Sequence, residues 1–176
     1  MLNRRNVRSI FIEILIDDKT NNGPNCEDIG LTNALHRVLD THLDPLSVVE
    51  SDNEMPLIAV YADRDSRSPR DKYLPAIMDQ TITMIVECYE TADNGYDLED
   101  KLDELESQVL HKLITDTRFV DLGGLLSFDS NPMRDGDGHV IGVRSLSFVI
   151  KAVEEIKKEI CDPNFKHIFK EVSPRV

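Results

Sequence analysis

Tryptophan is absent from the chain, and aromatic residues are limited to six phenylalanines and four tyrosines. So few aromatics leave little material for a base-stacking platform for single-stranded nucleic acid. Cysteine is equally sparse: Cys26, Cys88 and Cys161 make an odd count at long spacings. With no CxxC pair, they read as free thiols in a reducing compartment and not as a disulfide framework or a zinc cluster. The five histidines, His36, His42, His111, His139 and His167, form no HxH or HExxH pattern. No apolar run approaches the roughly 18 residues that a membrane span needs. The basic start, Met1 to Arg8, leads into an apolar stretch interrupted by Glu13 and closed by Asp17-Asp18. A secretory signal would not carry an acid in its apolar core, so the expected milieu is cytoplasm-like. Positive charge is also scarce: 20 Lys and Arg face 33 Asp and Glu, a net charge of −13. Such a surface repels nucleic acid and anionic membrane.

What is present suffices for one domain. The chain has 176 residues, 40% hydrophobic and 30% charged, enough for a core and too apolar a mixture for a disordered chain. Catalytic signatures are weak. Gly123-Gly124 is a lone pair and not a phosphate cradle, and no GxSxG elbow occurs. Asp135-Gly136-Asp137-Gly138 has glycines too early for a calcium loop and no matching Glu after it, so it reads as a hairpin turn. The acids Asp97, Glu99, Asp100, Asp103, Glu104 and Glu106 fit the solvated face of a helix better than a catalytic carboxylate pair.

Periodicity outlines the elements. Val7, Ile10, Phe11, Ile14 and Leu15 recur at helical spacing from Arg4 to Asp17, with Asn3 as a cap. Residues 18–28 read as a loop through Asn21-Asn22-Gly23-Pro24. Segment 35–43 suits a helix or a strand on pattern alone. Leu57 to Tyr61 reads as a buried strand, and the charged stretch 62–72 as a solvated, mobile loop. Residues 75–90 alternate as a half-covered strand, with Ile82, Met84, Val86 and Cys88 on one face. A helix over 97–116, capped by Asp97, buries Leu98, Leu102, Leu105, Val109 and Leu113, with Ile114 at its margin. Its wet side carries Asp103, Glu104, Ser107, Gln108, His111 and Lys112. Strands at 125–130 and 139–151 form a hairpin across a Gly/Asp-rich connector. From 153 on, the chain becomes a charged extension with a short helix around 163–172, which sets the expected domain at 1–152.

The succession of these segments resembles a known family. Arg37-Val38-Leu39-Asp40-Thr41-His42-Leu43-Asp44-Pro45-Leu46 leads to Met55-Pro56-Leu57-Ile58-Ala59-Val60-Tyr61, then to the long strand 77–90. A helix opens with Asp97-Leu98-Glu99-Asp100-Lys101-Leu102-Asp103, Thr115-Asp116-Thr117-Arg118-Phe119 runs into Leu122-Gly123-Gly124-Leu125, and 140–150 close the sheet. Over residues 5–152 this looks like the tail terminator, or tail-completion, proteins of long-tailed bacteriophages, the lambda minor tail protein U-like family. The resemblance implies an α+β fold, a central and mostly antiparallel sheet flanked by helices, and it makes 35–43 a strand. It also implies a structural virion protein and not an enzyme, with no cofactor and no metal. The implied assembly is a hexameric ring at the head-proximal end of the tail, put together in the host cytoplasm. The ring caps the tail tube protein, stops its polymerisation, and offers a joining surface to the head-side connector or neck protein and, in contractile tails, to the sheath. Genomic DNA would pass the lumen without specific binding. Three segments exceed the family pattern: 18–32, 62–72 and the tail after 152.

Mobile connectors are the natural sites for ordering on assembly. The expected interface residues are therefore Arg64, Asp65, Arg67 and Arg70 in the charged stretch, and Arg134, Asp135 and Asp137 in the hairpin connector. Two other readings are another head–tail connector or neck subunit, and a small ligand-binding or enzymatic domain using the acidic helix.

Overall fold

The computed structural model describes residues 3–18, 30–41, 55–70, 77–122, 124–129 and 140–155. The first helix, α1, spans Arg4–Ile16, and the Asn3 side chain caps it by accepting a hydrogen bond from the Asn6 N–H at 2.8 Å. A helix of this length is marginal alone. Burial of Val7, Phe11, Ile14 and Leu15 holds it in place, each side chain contributing about 1.5–3 kcal/mol.

Among the described residues five strands form one sheet in the order β1-β2-β3-β5-β4. They are β1 (Val38–Leu39), β2 (Leu57–Pro69), β3 (Ile77–Ala92), β4 (Gly124–Asp129) and β5 (Val140–Glu155). Of the described pairs, β1–β2 is parallel and the other three are antiparallel. The fold is α+β, as the resemblance implies. β5 continues to Glu155, past the boundary expected at 152, and the expected helix around 163–172 lies outside the described residues.

Helix α2 (Gly95–Thr115) and the short α3 (Thr117–Asp121) complete the fold. Both α1 and α2 pack on the same sheet face, against Ile58 and Val60 of β2, Ile82, Met84, Val86 and Cys88 of β3, and Leu146, Phe148 and Ile150 of β5. Phe11, Phe119 and Phe148 meet edge to face at the centre, with ring centroids 5.3–5.5 Å apart. Gly142 lets α2 approach β5. A Cβ there would overlap the Leu102 side chain and stand 3.0 Å from Leu98 Cδ2.

Four expectations need correction. The strand expected over 35–43 is reduced to Val38–Leu39. A turn closes just before it, with Leu35 N–H donating to Thr32 O at 2.8 Å and Leu35 in the left-handed region, φ 53°. The Arg37 guanidinium then clasps the Pro56 carbonyl at 2.7 Å, beside the cis Met55–Pro56 bond. The helix cap at 97 belongs to Asn94, whose side-chain oxygen accepts from the N–H groups of Tyr96 and Asp97. Asp97 sits in the first turn, where its charge favours the positive helix end.

Lys112 is buried and does not lie on the wet side. Its ammonium donates to the Asp17 and Gly30 carbonyls, which ties the C-cap of α1 and Gly30, within the 18–32 insert, to α2. Lastly, Ala62 to Pro69 forms strand and not a loop. The stretch Thr115 to Phe119 is a clasp. Asp116 caps α3 and accepts two hydrogen bonds from the Arg118 guanidinium, which reaches on to Asp17 at 3.1 Å.

Candidate assembly surface

β3 is sixteen residues long, and an antiparallel arm of five residues could not pair it. β2 therefore continues past Tyr61, pairing residue by residue from Leu57↔Tyr89 to Pro69↔Met78. One register shift between Ala62 and Arg64 marks a bulge at Asp63. The bulge sends alternate residues to new faces. Arg64 and Ser66 align with Thr83 and Thr81 on the helix-free face, while Asp65 and Arg67 align with Ile82 and Gln80 on the helix side.

That placement sorts the expected interface residues. Arg64, Arg67 and Arg70 are exposed. Asp65 is mostly buried and engaged inside the chain: it accepts from Gln80 Nε2 at 3.1 Å and pairs with Arg4 at 3.6 Å. These contacts, with a third to Arg67, tie it into the ribbon. Arg134, Asp135 and Asp137 lie outside the described residues, as does the connector 130–139 that carries them.

The helix-free face changes character along its length. At the β1 end, Leu57, Ala59, Tyr89 and Val143 form a second small core, with Leu39 and Met55 packed against it. Next comes a polar cluster that the sequence reading missed. Glu87, 8% exposed, accepts a hydrogen bond from the Tyr61 hydroxyl at 2.8 Å and another from the Tyr89 hydroxyl at 2.7 Å. Burial pushes the Tyr61 phenol well above the ordinary tyrosine range, and the bond to Glu87 and its charge add to this. Beyond the cluster, Ile85 of β3 and Ser147 and Val149 of β5 are half-buried, and the arginines of the ribbon follow. A signal existed in the sequence: Glu87 and Tyr89 stand two apart on a strand, in the alternate register to the apolar residues.

The acidic run on α2 has an internal task. Glu99, Asp103 and Glu106 converge on Arg144 of β5, with Glu99 at 2.9 Å and Glu106 at 2.8 Å. Burial opposes the Arg144 charge, and the hydrogen bonds to Glu106 and Glu99 with the charge of Asp103 more than offset it, so its pKa rises. The Arg118 guanidinium is likewise held charged, chiefly by its hydrogen bonds to Asp116. Cys88 is fully buried, and burial pushes its thiol far up, which makes it unreactive.

Among the described residues no group of three or more His, Cys, Asp or Glu is placed to hold a metal ion. His36 lies in an exposed turn and His111 on the exposed side of α2, while His42, His139 and His167 are outside the described residues. No described helix is long and apolar enough to cross a membrane. No protein-family model matches the chain, and no curated protein matches it.

Proposed function

We propose that the chain is a structural assembly protein of the tail terminator kind. It closes into a ring on the end of a completed phage tail tube, stops further subunit addition, and presents a joining surface to the head-side neck protein. The observation that carries the reading is the order of elements. An N-terminal helix, the Arg37–Asp40 segment, the Met55–Tyr61 strand, a long strand, a helix, the Thr115–Phe119 clasp and a closing hairpin succeed one another and build one sheet.

A terminator must cover the growing end of a polymer without offering a fresh copy of the site it covers. A closed head-to-tail ring does so, because each lateral interface is used up within the ring. Surfaces suited to that task are strand margins and projecting ribbons, and here β2–β3 extends past the helix-packed core carrying exposed Arg64, Arg67 and Arg70. A net charge of −13 suits a lumen that DNA traverses by repulsion and without adhesion.

Electron microscopy of particles assembled with and without the chain tests the reading. Loss of a terminator leaves overlong or headless tails. Tails of normal length that end in a cap, beside open heads, would instead make the chain a connector of the neck and defeat the proposal.

A further inference from the structure

The two lateral margins of the sheet differ in sequence and in charge. On the β2 margin, β1 pairs only with Ile58 and Ala59, so among the described residues no strand flanks β2 from Ala62 onward. This margin is guarded by the bulge at Asp63, by arginines and by Pro69, features that refuse indiscriminate apolar pairing. On the opposite margin β4, Gly-Leu-Leu-Ser-Phe-Asp, carries no proline and no charge before Asp129. Above β4, which begins at the Gly124↔Ile150 pair, no described strand flanks β5 positions 151–155 on the side away from β3.

The margins are complementary in two respects. The first is charge. The β2 margin carries Arg64, Arg67 and Arg70 against Asp63 and Asp65, which itself pairs with Arg67, +3 − 2 = +1. The β4/β5 margin has Asp129, Glu154 and Glu155 against Lys151, −3 + 1 = −2. The second is direction and height. β4 runs antiparallel to β5, β5 to β3 and β3 to β2, so β4 runs opposite to β2. Read across the sheet, Ala62 lines up with Met84, Phe148 and Leu126, and Arg64 with Thr83, Val149 and Leu125. A second copy moved sideways by four strand spacings, about 19 Å, without inversion and by two residues along β2, so that its Asp129 clears the β1 slot beside Ala59, would lay its β4 antiparallel beside β2 with Leu125 level with Ser66. Higher up, where β4 has ended, two spacings of about 10 Å separate β2 from β5. That gap is the reach of an arginine and a glutamate. Within one copy Pro69 lines up with Glu154 through Met78, so the two-residue shift sets the neighbour's Glu154 one residue beyond the level of Arg70.

From these placements we infer that the occupant of the Ala62–Pro69 margin is the β4/β5 margin of a second copy of this chain. The two join head to tail, by antiparallel pairing of β4 with β2 and by contact of Arg70 with Glu154 and Glu155. The interface is heterologous: each copy offers one margin to each neighbour, so the association propagates and does not stop at a dimer. The β2 margin gives selectivity, since its arginines favour a neighbour that carries acidic residues beyond the paired strand over one that does not. The inference rests on the ring reading for the closure of the assembly.

The test uses the full chain with Cys26→Ser and Cys161→Ser, leaving the buried Cys88. Leu125→Cys is mixed with Ser66→Cys or, to cover the unshifted register, with Arg64→Cys, under mild oxidation. The expected result is a disulfide-linked pair in a mixture and none from any variant alone. Sedimentation gives the second arm. Arg70→Glu should weaken self-association at least about tenfold, and adding Glu154→Lys should restore it. A chain that still assembles, but shows no mixed disulfide and no rescue, overturns the margin pairing and leaves the ring reading standing. A chain that remains monomeric at every concentration overturns the margin pairing as well. Failure to act on tail tubes in the microscopy experiment is what separates loss of the ring reading from loss of this interface.

Discussion

Replacing Lys112 by methionine keeps the length of the apolar stem and removes the ammonium. In the native fold that ammonium is fully buried and donates to the carbonyls of Asp17 and Gly30, at least two charge-assisted hydrogen bonds. Each bond of this kind contributes about 1.5–3 kcal/mol, and a buried carbonyl stripped of its donor costs about 1–3 kcal/mol. Relief of the ammonium's own desolvation offsets part of this loss. The expected net destabilisation is about 2–4 kcal/mol. Urea unfolding followed by far-UV circular dichroism measures it: the midpoint should fall while the slope stays unchanged. The control is Lys101→Met, since Lys101 is exposed and donates to the Thr91 carbonyl from the surface. That change should cost under about 1 kcal/mol. Amide exchange should also accelerate in Lys112→Met around Asp17 and residues 30–34. Equal, small effects for the two lysines would refute the claim that Lys112 ties α1 to Gly30 of the insert.

Three further outcomes are expected. Gly142→Ala forces the Leu98 and Leu102 side chains away from β5 and should cost about 1–3 kcal/mol in the same unfolding assay. Asp116→Ala removes the α3 cap and the buried partner of Arg118, an expected loss of about 2–4 kcal/mol read from the thermal midpoint. The raised pKa of Tyr61 contributes stability that is fully present below the ordinary tyrosine value of about 10 and is lost as pH rises past it. The stability difference between the native chain and Tyr61→Phe should therefore shrink between pH 8 and pH 11 in urea titrations.

Elements with clean periodicity were legible. The stripe Leu98, Leu102, Leu105, Val109 and Leu113 and the alternation Ile82, Met84, Val86, Cys88 are all buried as expected, because one face of each element meets the same core. The segment Thr115 to Phe119 entered the sequence analysis only through the resemblance. Its physical basis, a buried aspartate holding the next turn and an arginine two residues on, is seen only in three dimensions. What escaped depended on partners distant in sequence. The run from Asp63 to Ser68 looks like a loop by composition, yet it is strand because β3 supplies the other half of every pair. Lys112 looks solvated by type, and its burial depends on carbonyls 95 and 82 residues away. The Tyr61–Glu87–Tyr89 cluster joins a residue of β2 to two of β3, and no local pattern brings Tyr61 to the other two.

Native mass measurement of the purified chain, alone and after mixing with tail tubes, bears most directly on its proposed role. A single closed multiple of the 20.0 kDa subunit, found free or at one end of each tube and blocking further growth, is the expected result. A monomer that leaves tube ends free to elongate would contradict it.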